Sequence, residues 1–230
     1  MKKVILFGAG PRKERPDLED SLLVCCDGGY HYLKDMGREP DLLVGDFDTF
    51  PKDKIGNPKR IISLNPIKDD TDSFHAVDVL LKEGYTDFHL YGRYGGRRDQ
   101  TLASLNLVSH LKDRGANAVL YSDDGKRKRI RIENEAILLS AKDHGFVSVF
   151  SYYKISQGVT IENRKYTLSE KELSFSTSLG CSNELIGKEG YIQVRKGRLI
   201  IVLPKEEEWK RMAGAGNAPI KQEGPRKPKA

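Results

Sequence analysis

At 230 residues and 25.9 kDa, the chain is long enough for one large domain or two small ones, each with its own core. Its apolar runs fall far short of the ~20 residues a membrane span needs, and residues 4–7 are too short for the core of a signal peptide, so a cytoplasmic setting is expected. The net charge of +6 sits mostly in a tail with six basic residues and one acid from Lys210 onward, so the nearly neutral remainder does not indicate a nucleic-acid partner.

Strand-like runs at residues 4–7, 22–26, 42–44, 60–64, 88–91 and 118–121 alternate with helix-like segments, which predicts an α/β domain with a mainly parallel, Rossmann-like sheet. The clearest helix starts at Thr71 or Asp72, places Phe74, Val77, Leu80 and Leu81 on one stripe and stops at Gly84, a C-cap glycine. A second spans 99–114, with Leu102, Leu105, Leu107, Val108 and Leu111, and stops at Gly115. Cys25, Cys26 and Cys181 have neither the even number of a disulfide framework nor a zinc spacing, and read as packed thiols. The five histidines, His31, His75, His89, His110 and His144, show no metal spacing.

Beyond the basic run at 126–131 the pattern becomes short β segments, around 130 and at 136–140, 146–152, 159–162, 165–168, 173–177, 191–195 and 199–203, as in an antiparallel all-β sandwich. Residues 162–164 and 196–197 read as hairpin turns. With the boundary near 124–128, the expected division is an α/β domain over 1–125, a β-sandwich over 126–204 and a disordered basic tail over 205–230.

The chemistry lies in acidic loops that directly follow strand-like runs: Asp46 and Asp48 in GDFDT, Asp69 and Asp72 in KDDTD, Asp99 in GGRRDQ. Asp and Gly also occupy ordinary turns and N-caps, and singly each motif would read that way. In an open parallel sheet, however, strand ends converge on one crevice, so such loops can meet around a divalent cation and its phosphates. Asp46 and Asp48, one residue apart in an extended loop, can face one side as two hard oxygen ligands for magnesium. Thr71 and Asp72 open a helix whose free N–H groups favour anions, and Lys68 can neutralise a phosphate oxygen. Gly95, Gly96 and Arg97 let backbone and guanidinium approach phosphates, and Asp27, Gly28 and Gly29 form a further close-approach loop. GAG at 8–10 is a partial dinucleotide fingerprint without its third glycine.

Taken in order, DGG, PDLLVGDFDT, KDDTD, GGRRDQTLASLNL, GVTIENRKYTL and STSLGCSNE resemble the thiamine pyrophosphokinase family, over about residues 25–201. The resemblance implies an α/β nucleotide domain followed by a β-sandwich, assembled as a homodimer with the thiamine site between subunits. It implies transfer of the β,γ-diphosphate of ATP to the hydroxyethyl group of thiamine, with release of AMP. It places magnesium and the phosphates at Asp46, Asp48, Asp72 and Asp99 with Asp69 close by, the nucleotide pocket at Asp27, Gly28, Gly29, Gly95, Gly96 and Arg97, and thiamine contacts at Ser178, Ser182 and Asn183. From the residues alone, the segment around Ser178 reads as a polar hairpin turn. The chain departs from the family at Tyr30 and His31, and has Gln100 where a histidine commonly follows the acid. Competing readings are a pyrophosphokinase for another alcohol such as a hydroxymethylpterin, a glycosyltransferase using Asp46-Phe47-Asp48 as its DxD, and a sensor that binds without turnover.

Overall fold

The computed structural model describes residues 3–11, 15–47, 55–65, 67, 69–122, 129–143 and 145–204. The first half alternates strand and helix: β1 (Lys3–Phe7), β2 (Ser21–Cys26), a 3-10 turn at Asp27–Gly29, α1 (Tyr30–Lys34), β3 (Leu42–Gly45), β4 (Arg60–Ser63), α2 (Asp72–Lys82), β5 (Asp87–Tyr91), α3 (Arg98–Asp113) and β6 (Asn117–Tyr121). All six strands are parallel, in the spatial order β4-β3-β2-β1-β5-β6, with Val4 opposite both Leu22 and Phe88. The continuous apolar runs of β1, β2 and β3 are explained by burial on both faces. Val4, Leu6, Val24, Val44, Phe88 and Leu90 meet Ala76, Val77 and Leu80 of α2 and Leu107, Val108 and Leu111 of α3. Ile5, Phe7, Leu23, Cys25 and Leu43 meet Tyr30, Tyr32 and Leu33 of α1 on the other face.

The second half is all strand: β7 (Arg129–Glu133), β8 (Ile137–Leu139), β9 (Phe146–Ser151), β10 (Ile155–Ile161), β11 (Leu168–Ser174), β12 (Gly180–Glu184), β13 (Gly190–Gln193) and β14 (Leu199–Leu203). Among the described residues, β7 pairs antiparallel with β6, so that β7, β14, β9 and β12 extend the parallel sheet into one mixed ten-stranded sheet. A four-stranded sheet, β11-β10-β13-β8, covers the far end. The sandwich core combines Val147, Val149, Leu199 and Ile201 of the long sheet with Ile137, Val159, Ile161 and Ile192 of the short one.

Strand β14 alternates between two cores. Leu199, Ile201 and Leu203 face the sandwich, while Ile200 and Val202 pack on the helix-covered core that also takes Ile130 and Ile132 of β7. Helix α3 adds an ionic seam to this joint: Lys112 Nζ lies 2.8 Å from the buried Glu133 Oε2, Glu133 also pairs with Arg131, and the buried Arg198 reaches the half-exposed Asp113 at 2.6 Å and Ser109 Oγ at 2.7 Å.

Several expectations change. Gly180–Glu184 is a strand, although GCSNE lacks apolar alternation; pairing with β9 and a bulge make it an edge strand, and a side chain at Gly180 would collide with the Val149 carbonyl. Residues 165–167 precede β11 instead of forming a strand, and the turn at 196–197, with Gly197 at φ +109°, joins strands in different sheets and so closes no hairpin. Leu102 is 63% exposed on the outer side of α3, where Ser104 is buried instead. Cys25 and Cys26 are packed thiols, but Cys181 is exposed on the edge strand. Gly84 and Gly115 both take the left-handed φ of C-cap glycines, as expected. His144, the boundary at 124–128 and the tail lie outside the described residues. Among the described residues, no helix is long and apolar enough to cross a membrane.

Candidate functional site

Strand order reverses between β1 and β5: the chain runs outward from β1 to β4, then returns to place β5 on the other side of β1. In such sheets ligands bind beyond the carboxyl ends of the strands at this switch point. A cavity of about 710 Å³ opens there, walled by the loops after β1, β2, β3 and β5 and by the first turns of α2 and α3.

The wall between β1 and β5 is backbone against backbone. Gly8 N–H donates to the Tyr91 carbonyl at 2.9 Å and Gly10 N–H to the Gly92 carbonyl at 2.7 Å. A Cβ on Gly10 would sit 2.6 Å from the Gly92 oxygen, so GAG is glycine-rich because two loops touch there.

The acidic wall comes from β2, β3 and α2. Asp27 sits at φ 42° in the 3-10 turn, with its carboxyl in the space that a side chain on Gly45 would occupy. Asp46 follows Gly45 at the end of β3, and Asp72 opens α2. Burial, then the hydrogen bond and charge of Asp72 and the charge of Asp46, push the Asp27 carboxyl up to about 8, with the Phe47 N–H acting in the opposite direction. Like-charged carboxylates this close hold on to a proton. Among the described residues no three acidic, histidine or cysteine side chains stand in a metal-ligand arrangement. The donor set nevertheless fits a hard divalent cation: it is all oxygen, and Asp27 Oδ1 and Thr71 Oγ1 are buried without a hydrogen-bond partner.

Asp27, Gly28, Asp46, Thr71, Asp72, Gly95, Gly96 and Arg97 all line the cavity. Gly29 stands behind the wall, where a side chain would strike the Phe7 carbonyl. Asp69 is exposed and does not line the cavity. Nor does Asp99, whose carboxylate meets Arg97 through a fork of 3.2 Å and 2.5 Å on the solvent side. This pair holds the Asp99 carboxyl below its usual range. Asp48 and Lys68 lie outside the described residues.

Ser178, Ser182 and Asn183 are not brought to this cavity within one chain. Ser178 and Ser182 are exposed on the sandwich edge, Ser182 at φ 56° with its N–H donating to Ser148 Oγ. Asn183 is buried, and its amide pairs with the Tyr166 backbone, accepting from N–H at 3.0 Å and donating to the carbonyl at 2.6 Å.

Sequence reasoning passed over Arg93, Ser73 and Ser104, which lie in or against the cavity wall. Arg93, inside the GRYGGRRDQ loop, carried a signal in its residue type; Ser104, within a helix pattern, carried none.

An acid-lined, glycine-walled crevice at the switch point of a parallel sheet, joined to a β-sandwich, defines a two-part protein with a site of the kind that holds phosphorylated ligands. Two family models divide the chain at the same joint: "Thiamin pyrophosphokinase, catalytic domain" matches residues 18–120 and "Thiamin pyrophosphokinase, vitamin B1 binding domain" matches residues 130–199. The chain belongs to the thiamine pyrophosphokinase family. It is 27% identical over 216 residues to a thiamine pyrophosphokinase of Bacillus subtilis (strain 168), covering 88% of this chain and 98% of that one. The fold is shared with the thiamine pyrophosphokinase structure from Bacillus subtilis (TM-score 0.76, 23% identity, 89% of this chain and 100% of that one). It is shared also with the Candida albicans enzyme structure (TM-score 0.70, 17% identity, 89% of each chain).

Proposed function

We infer that the protein is an ATP-dependent thiamine diphosphokinase, a diphosphotransferase that moves the terminal diphosphate of ATP onto the hydroxyethyl oxygen of thiamine and releases AMP. The observation that carries this reading is the meeting of Asp27, Asp46 and Asp72 with the first turn of α2 in one crevice, in a chain both of whose halves match that family. The match of the second half to a vitamin B1 binding domain favours thiamine over a pterin alcohol or a nucleotide sugar as co-substrate.

In this reading the Rossmann-like part, 1–125, binds ATP and the sandwich, 126–204, binds thiamine and forms the dimer. Asp46, Asp48 and Asp72, with Asp99 at the rim and Asp69 nearby, form the magnesium and phosphate site. Bound magnesium would offset the charge on the phosphates and favour attack at the β-phosphorus. The chain's own groups do the rest. Asp27, Gly28, Gly29, Gly95 and Gly96 shape the nucleotide pocket, Arg97, Lys68 and Thr71 take phosphate oxygens, and one carboxylate accepts the hydroxyl proton.

The thiamine contacts Ser178, Ser182 and Asn183 belong to a shared site in a homodimer. Support comes from the exposed Ile155, Phe175 and Leu179, the last adjacent to Ser178, an apolar strip that a second copy would cover. The cytoplasm, where ATP is available and thiols stay reduced, suits the three unpaired cysteines.

The test is incubation with ATP, magnesium and thiamine, with chromatographic separation of the products. Thiamine diphosphate and AMP in equal amounts are expected; ADP with thiamine monophosphate, or no thiamine product, would overturn the reading.

A further inference from the structure

Arg93 lies in the cavity wall with only 8% of its surface exposed. Its guanidinium donates to Ser73 Oγ in the first turn of α2, while its Nε–H is buried without a partner. A buried guanidinium left with an unmatched donor is costly, and its planar fork matches phosphate oxygens.

The fold invests in holding this side chain in place. A Cβ on Gly8 would stand 2.8 Å from Arg93 Cγ and 3.1 Å from its Nη1, so the glycine makes room for it. The residue before it, Gly92, takes φ +61° and bonds through its carbonyl to Gly10. The buried Ser104 hydroxyl lies 3.0 Å from the Arg93 carbonyl and 2.6 Å from that of Gln100, clasping the loop to α3. The N-terminus of the 11-residue helix α2 lines the same cavity through Thr71, Asp72 and Ser73, an end at which anions are favoured.

We propose that Arg93 is a phosphate-binding residue of this site, taking an oxygen of the ATP polyphosphate on its guanidinium from the cavity wall beside the first turn of α2. This rests on the ATP reading above and adds to it a residue other than Arg97. The two arginines then differ in kind: Arg97 is 74% exposed and already paired with Asp99 at the rim, whereas Arg93 is fixed and buried before ligand arrives.

The test is equilibrium binding of ATP, inorganic tripolyphosphate and adenosine to the full chain, with and without magnesium, for wild type, Arg93→Met and Arg93→Lys. Arg93→Met should weaken ATP and tripolyphosphate by about ten- to a hundredfold, the loss expected for one charge-assisted contact, and leave adenosine within about twofold. Arg93→Lys, which keeps the charge but not the fork, should recover part of the tripolyphosphate affinity and serves as the deciding variant where Arg93→Met does not fold. Tripolyphosphate binding unchanged in the folded variants would overturn the proposal. An equal loss for ATP and adenosine would also overturn it, because it would make Arg93 a prop for Ser73 and α2. Wild type that binds ATP and tripolyphosphate but forms no thiamine diphosphate would sink the proposed reaction while leaving the result on Arg93 standing.

Discussion

The two ends of the ten-stranded sheet use their strand ends in opposite ways. In the parallel end, β1, β2, β3 and β5 all finish on one side, so Gly8, Asp27, Asp46 and Arg93 reach one cavity although 85 residues separate the first from the last. In the antiparallel end, neighbouring strands finish on opposite sides, and in the edge strand β12 Ser182 is exposed while Asn183 is buried against the Tyr166 backbone. Parallel order concentrates chemistry within a chain; the antiparallel sandwich offers edges and faces, which suit a role completed by a partner.

Glu133 is where the two ends depend on each other. It is 2% exposed and faces Lys112 of α3 across the joint and Arg131 on its own strand, so Glu133→Ala removes a carboxylate shared by two buried cations, leaving Lys112 with Glu135 at 3.6 Å, and should cost about 3–5 kcal/mol. Denaturant unfolding followed at both halves should give coincident transitions in the wild type. Separate transitions would mean that the ends fold independently despite their shared sheet.

Asp46→Asn should slow AMP release by about a hundredfold or more, a loss typical of removing one preorganised electrostatic group, with the circular dichroism spectrum unchanged. A near-wild-type rate would remove Asp46 from the chemistry. At the antiparallel end, Phe175→Glu, at a position 68% exposed, should leave ATP binding intact, lower the sedimentation mass from dimer to monomer and reduce thiamine turnover. An active monomer would contradict the shared site and reduce the contrast between the two ends to one of geometry alone.

A further difference is one of pH. Because Asp27 is raised to about 8 in the folded protein, above its unfolded value, the neutral form is the one that folding favours. In magnesium-free solution its contribution should be fully present only below its unfolded value near pH 4, fall as pH rises towards 8, and change little further above that. Asp27→Asn should remove this part of the slope in denaturant midpoints measured between pH 5 and 8; an unchanged slope would assign it to other groups.

Much of the parallel end was legible because local rules and tertiary demands agree there. Strands buried on both faces read as unbroken apolar runs, Gly84 and Gly115 marked the helix ends, and acids after strands marked the crevice. Leu102 and Ser104 exchanged places because Ser104 is drawn inward by two carbonyl oxygens, a demand that hydrophobic periodicity does not register.

By itself the sequence determined the alternation of elements, the order of acidic loops and the resemblance in its motifs, all of which depend on residue type and spacing along the chain. Only the tertiary structure decided that β6 pairs with β7 and makes one sheet of both halves, that GCSNE becomes a strand, that Asp99 turns outward to Arg97, and that Arg93 lies buried in the cavity. The strand at GCSNE and the burial of Arg93 depend on partners far away in the chain, while the β6–β7 pairing and the Asp99–Arg97 fork join near neighbours through hydrogen bonds and charge; neither kind of contact leaves a hydrophobic period in the segments it joins.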